Sequence, residues 1–372
     1  MKRLFFIGYA LILLSVTIIS WGFVDTNFPI KILPAWNAFI FSHRYISTAI
    51  YTVSDIALFA CYGFFMWLVV KNQADLKFIL TLIIITVALL FFSFPAFAYD
   101  IFNYVATAKV AFFYHENPYV VMPIEIPNEP MLAFMHAANK VALYGFVWIL
   151  LTFVPWLAGL GNLILTVFAF KAYMLLFYGI CLYFIWRISE KNLTALTFFA
   201  LNPLVILETM ISAHNDVAMM ALALAAFYLL KKNKTVMSVI FLFLSVFIKF
   251  ATLALIPVFI YVIYSRHKKR KIVWDKVWMW SAIAMYIPFF LSPLREEIYS
   301  WYLIWPLTFV SLVLEEKLLT WITVGFSFGL PFRFAPFLFT GDWGGFTPLI
   351  KKMVTFLPPA ITASYYEIRK KI

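Results

Sequence analysis

Four stretches of this chain carry side chains of the kinds that move protons or grip an anion. The first is YDIFNYVATAKVAFFYHENPYVVMP, Tyr99 to Pro123. At 100° per residue, Asp100, Asn103, Tyr104, Thr107, Tyr114 and His115 share one helical face with apolar flanks. Asn117 and Pro118 end that helix, because proline disfavours helix at the residue before it. Asp100 follows directly on an apolar run ending at Pro95. A carboxylate at such a boundary is partly desolvated and suits a general base. The same position suits a helix N-cap, and the two roles are compatible.

The second stretch, Leu201 to Leu230, contains an Asn202-Pro203 break, then Glu208, Ser212 and Asn215 at helical spacing. His214, Asn215 and Asp216 stand at a turn before another apolar helix. Free N–H groups at that helix start suit a phosphate, with His214 as a further donor, and capping by Asn215 is the alternative. The third centres on Lys249, inside roughly thirty apolar residues. It either neutralises a leaving phosphate or snorkels to water. The fourth, YSWYLIWPLTF, gathers Trp301, Tyr302 and Trp305 at a helix start, where they read as sugar-stacking faces or as an aromatic belt.

The elements that must position these residues are membrane helices. Of 372 residues, 65% are hydrophobic and 12% charged, against about 25% charged in soluble domains. Apolar runs near the roughly 20 residues needed to cross a bilayer recur from end to end. The net charge of +12 sits in short clusters, such as Lys231, Lys232 and Lys234, or Arg266 to Lys271. That is the pattern of cytoplasmic loops, not a nucleic-acid stripe. Cys61 and Cys181 lie inside apolar runs, which excludes a disulfide framework and a cysteine metal site.

The expected fold is all-α and polytopic, a single membrane domain over 1–372 with about twelve crossings. They fall near 4–22, 47–70, 78–95, 162–187, 193–211, 216–230, 235–248, 251–265, 274–292, 301–314, 318–335 and 350–367. A proline-rich outer segment, 96–161, carries helices lying along the membrane surface. The piece 145–158 is assigned to the interface, because a crossing there would put Arg187 and Lys191 outside. Outer loops then collect Asp100, His115, Glu116, His214, Asn215, Asp216, Arg295, Glu296, Glu297 and Asp342 on one face. Ionisable groups at membrane depth cost roughly 2.5–3.5 kcal/mol each, so their clustering beside one leaflet points to a site.

In order, these segments present an acidic residue opening an outer loop, an NPY turn, and HND after an NPL-broken helix. An intramembrane lysine before a proline and a WYxxWPL helix follow. Over roughly Phe94 to Phe309 the chain resembles the polyprenol-phosphate-mannose-dependent mannosyltransferases of the membrane-embedded GT-C superfamily. YGFVWILL at Tyr144 is similar to that superfamily's membrane-lying helix.

The resemblance implies transfer of a hexose, mannose by family, from a polyprenyl-phosphate sugar to a glycan or lipid-linked acceptor. The site would face outward from a prokaryotic plasma membrane. It implies one inverting displacement through an oxocarbenium-like transition state, with Asp100 as base. Lys249, His214 and Asn215 would hold the donor phosphate. Asn103, Tyr104, Tyr114, His115, Asn117, Asp216, Trp301, Tyr302 and Trp305 would position sugar or acceptor. Some relatives use a metal at the donor phosphate, but no ligand set is assigned here and no cofactor is expected. Many relatives carry an arginine where this chain has Asn103, which leaves the acceptor open.

Two other readings compete. A flippase or transporter for lipid-linked glycans also uses broken helices, but it should show pseudo-symmetric halves, and no repeat is visible. A polysaccharide polymerase or ligase should carry an arginine-rich outer loop, and 96–161 contains no arginine.

Overall fold

A computed structural model describes residues 2–25, 27–28, 33–294 and 297–371. The described residues are helices, turns and loops with no strand. Arg295 and Glu296, expected in the outer loops, lie outside the described residues.

Six helical segments are long and apolar enough to cross a membrane: Phe5–Gly22, Arg44–Val70, Leu163–Ile188, Phe250–His267, Trp274–Leu294 and Lys317–Thr340. A seventh is a pair, Leu193–Ala200 and Pro203–Ile211, bent by 53°. The expected twelve crossings are therefore not matched by length and composition. Several of the apolar runs fold as shorter helices. Leu76–Leu90 has 15 residues and Thr235–Val246 has 12; at 1.5 Å per residue both fall short of the roughly 30 Å hydrocarbon core. Phe146–Ala158, at 13 residues, is also too short to span, in keeping with the interfacial assignment of 145–158. A helix that hydropathy did not suggest, Pro34–Ser42, follows the first span. Its Asn37 amide donates to the Gly22 and Val24 carbonyls at 2.9 and 2.7 Å, closing that span's C-terminal end.

Asparagine and aspartate start many of these helices. Asp75, Asn162, Asn192 and Asn202 each accept a backbone N–H in the first turn. At Asn202-Pro203 the cap and the proline together restart the helix at a new angle. The backbone then loosens into a π-helical turn, Leu207–Ile211, a distortion common at functional sites. Lys171, within the Leu163–Ile188 span, is 1% exposed. Its ammonium donates to the Leu90 carbonyl at 3.1 Å and to Ser93 Oγ at 2.8 Å, which satisfies the open end of the Leu76–Leu90 helix.

Candidate active site

The π-helical turn at Leu207–Ile211, the start of the Asp100–Phe112 helix and the turn at Lys249 meet around a cavity of about 960 Å³. Asp100, Asn103, Tyr144, Glu208, Lys249, Trp301, Tyr302 and Trp305 line one part of it. Arg44, Glu297, Arg333 and Lys351 line another.

Asp100 is the first residue of its helix. The N-cap position belongs to Tyr99, which makes no side-chain cap bond, so Asp100 does not cap its own helix. Its carboxylate lies 3.3 Å from His214 Nδ1. The other ring nitrogen, Nε2, lies 3.2 Å from Glu208. These are ion-pair contacts rather than aligned hydrogen bonds. His214 has no solvent exposure and is covered by Trp301, stacked at 3.9 Å and 20°. Burial works against its imidazolium, but Asp100 and Glu208 outweigh that and lift its pKa to about 9. Burial pushes the Asp100 carboxyl up, yet His214, Lys249 and Asn103 together hold it below the ordinary carboxylate value. Asp100 therefore stands ionised at the cavity wall, within the field of Lys249.

Behind this lies a second pair. Asp216 opens the Asp216–Lys231 helix and is fully buried. Lys249 Nζ donates to both its oxygens, at 2.9 and 3.0 Å. Trp305 Nε1 donates to the same carboxylate at 2.5 Å. The Lys249 ammonium also lies 5.2 Å from the Tyr302 ring centre and 5.8 Å from that of Trp305, within cation–π range. Tyr302 and Trp305 stack at 4.4 Å.

Thus Asp100, Asn103, Lys249, Trp301, Tyr302 and Trp305 come together on the cavity surface. His214, Asn215, Asp216 and Tyr104 form the layer beneath. The Tyr104 hydroxyl accepts the Asn215 N–H at 3.2 Å, so that N–H at the helix start is already used. The Asn215 side chain makes no capping bond.

Tyr114, His115 and Asn117 do not join the site. The helix ends at Phe112, so the shared face drawn through Tyr114 and His115 does not continue. Tyr114 donates to Glu129 at 2.7 Å, beside the Lys109–Glu129 pair at 2.6 Å. His115 takes a positive φ of 56° in the following turn. Asn117 accepts the Tyr119 N–H at 3.0 Å, fixing a local turn.

Several charged lining residues were not assigned to the site from the sequence, among them Arg44, Glu208, Arg333 and Lys351. A signal was present for two of them. Glu208 is a carboxylate, and Arg333 a guanidinium, inside an otherwise apolar run, and each needs a partner or a cavity there. Among the described residues, no group of three or more His, Cys, Asp or Glu side chains is arranged to hold a metal ion.

The family model for the N-terminal domain of alpha-(1->6)-mannopyranosyltransferase matches residues 4–265. No curated protein and no solved structure matches the chain. The matched span holds Asp100, Glu208, His214, Asp216 and Lys249, and stops short of Glu297, Arg333 and Lys351. Covering most of the sequence, it bears out the resemblance drawn from Asp100, HND and Lys249: the chain belongs to the MptA_B family of alpha-(1->6)-mannopyranosyltransferases.

Proposed function

We propose that the protein moves a mannosyl group from a polyprenyl-phosphate donor to the 6-hydroxyl of a mannose on a glycan or lipid-linked acceptor, at the non-cytoplasmic face. The family's linkage supports the 6-hydroxyl as nucleophile. The observation that carries the reading is an ionised Asp100 at a cavity wall, with a buried imidazolium behind it and Lys249 close enough to influence its charge.

In the reaction, the acceptor hydroxyl attacks the anomeric carbon while Asp100 takes its proton. The bond from that carbon to the phosphate oxygen breaks on the opposite side, and the phosphate keeps the electron pair. It leaves as an anion and needs no acid, so one carboxylate suffices. Lys249 lies beside the developing phosphate charge, where a fixed cation in a site of low water content is most effective. Because Asp216 neutralises Lys249 in the ground state, the lysine acts as an oriented dipole as much as a free charge. Trp301, Tyr302 and Trp305 offer faces for the sugar, and Asn103 offers an amide beside the base. The layer beneath, His214 and Asp216, fixes Asp100 and Lys249 in place. Apolar, exposed Phe41, Phe250 and Leu291 also line the cavity, and such a rim suits a prenyl chain arriving from lipid.

The test is transfer from synthetic polyprenyl-phosphate mannose to a mannoside in membranes, wild type against Asp100→Asn. Loss of about 10²–10⁴-fold is expected for removal of a general base. Equal rates would remove Asp100 from the mechanism. No turnover with any lipid-phosphate sugar would favour the transporter.

A further inference from the structure

A second ion cluster stands in the wall of the same cavity, beyond the family match. The Arg333 guanidinium and the Lys351 ammonium converge on one carboxylate, Glu297. Arg333 Nη2 donates to Glu297 Oε2, and Lys351 Nζ lies 2.8 Å from Oε1 and 2.6 Å from Oε2. Both cations are also held from behind. Arg333 Nη1 donates to Thr355 Oγ1 at 2.6 Å. Lys351 lies 4.9 Å from the centre of the Trp343 ring, which stacks on Phe337 at 4.0 Å. Arg333 and Lys351 belong to helical segments, Pro331–Phe334 and Thr347–Lys371, that pack on each other. Glu297 belongs to an irregular segment. Its side chain is 36% exposed, against 11% and 13% for the two cations.

The asymmetry is informative. The cations are anchored without Glu297, whereas the carboxylate is the accessible and less constrained member. Two positive groups facing one negative group leave this cluster with a net charge of +1. Arg44 lines the same cavity as a further cation. Lys249 differs, because the fully buried Asp216 matches its charge. A carboxylate held by one guanidinium nitrogen, Arg333 Nη2, and by the Lys351 ammonium presents its oxygens to two donors, as one edge of a phosphate does. Exchanging one anion for another keeps both cations paired throughout, which avoids the penalty of a buried unpaired charge.

We propose that Arg333 and Lys351 form a docking site for the phosphoryl headgroup of a substrate lipid, with Glu297 standing in for that phosphate until the lipid arrives. Only the lipid's being a substrate rests on the transferase reading; the anion preference does not.

The experiment is equilibrium binding of sugar-free polyprenyl phosphate to the purified full chain in detergent. Uncharged polyprenol and inorganic phosphate serve as comparators. Polyprenyl phosphate should bind at least tenfold more tightly than polyprenol. Arg333→Gln and Lys351→Gln should each weaken it at least tenfold, and Glu297→Gln should tighten it severalfold by removing the internal competitor. A purely structural ion cluster predicts the opposite sign for Glu297→Gln. Weaker or unchanged binding in that variant, or equal binding of polyprenol, overturns the proposal. Inorganic phosphate binding as tightly as the lipid overturns the lipid assignment. Thermal midpoints check folding. If Arg333→Gln does not fold, Arg333→Lys takes its place, with weakened binding expected because a single nitrogen replaces the two that reach Thr355 and the anion. Because binding is read without turnover, the two proposals fail separately. Silent transfer with Arg333-dependent binding sinks only the transferase reading, and active transfer with Arg333-independent binding sinks only this one.

Discussion

Replacing His214 with asparagine removes the cation between two carboxylates and leaves Asp100 and Glu208 facing a neutral amide. The cost follows from the geometry. Burial disfavours the imidazolium, but Asp100 at 3.3 Å and Glu208 at 3.2 Å more than compensate, lifting the pKa from 6.5 to about 9. At about 1.4 kcal/mol per pKa unit, that rise is worth roughly 3 kcal/mol of folding free energy. A raised folded-state pKa contributes fully below the unfolded value, near pH 6.5, and is lost as pH climbs through about 9. Asp100 runs the other way: its lowered pKa contributes above its ordinary value of 3.8 and is lost on acidification. The assay is the thermal midpoint of wild type and His214→Asn in detergent at pH 7 and pH 9.5. The gap should be large at pH 7 and mostly closed at pH 9.5, because the wild type descends towards the variant. Adding Glu208→Gln to His214→Asn should recover part of the loss at pH 7, since it removes the surplus carboxylate. An equal gap at both pH values would refute a charged His214 and leave only a packing role beneath Trp301.

The other expectations follow from the same layers. Lys249→Met strands the buried Asp216 carboxylate and should cost roughly 3–5 kcal/mol; adding Asp216→Asn should restore much of the thermal midpoint, and a strictly additive double-mutant cycle would deny the pair. Gly145→Ala puts a Cβ 2.1 Å from the Phe247 carbonyl oxygen. It should push the Phe146–Ala158 helix off the turn at Lys249 at roughly 1–3 kcal/mol, read as a lowered midpoint together with reduced transfer. The acid limb of transfer should lie below the ordinary carboxylate range, because Asp100 is held ionised; His214→Asn should move that limb upward, visible in a rate–pH profile.

The chemistry-bearing positions were legible where a polar residue interrupts an apolar run, because membrane burial forces such a residue to find a partner. Asp100, the HND turn and Lys249 were found on that ground, and they converge. Their division of labour was not legible. His214 and Lys249 both read as cations for a phosphate, yet each already faces carboxylates, Asp100 and Glu208 for one and Asp216 for the other. Spacing along the chain cannot report pairings such as Lys249 with Asp216, which are made between separate helices. The helical wheel through Tyr114 and His115 failed because periodicity does not reveal where a helix stops, and Phe113 already begins the exit. The count of twelve crossings is not matched by helix length for a related reason. Hydropathy sees apolar length, whereas Leu76–Leu90 and Thr235–Val246 end after a few turns, and a lysine from another helix, Lys171, satisfies the open end of the first.

On the two proposals above, the charges around the cavity divide into two balances, one for the attacking hydroxyl and one for a lipid headgroup. Around His214, two carboxylates share one imidazolium, so the group carries −1 while Asp100 is held ionised. Around Glu297, two cations share one carboxylate, so that group carries +1. A base must stay unprotonated until a hydroxyl arrives, which a surplus of negative charge would oppose unless a fixed cation sat directly behind it. His214 supplies that cation without exposing it to substrate. A phosphate headgroup must be drawn from lipid without leaving bare cations in its absence, which a displaceable carboxylate accomplishes. Separating the two balances lets one cavity attract an anion while keeping a carboxylate charged, and the Lys249–Asp216 pair, neutral as a unit, adds a cation beside the base without upsetting either.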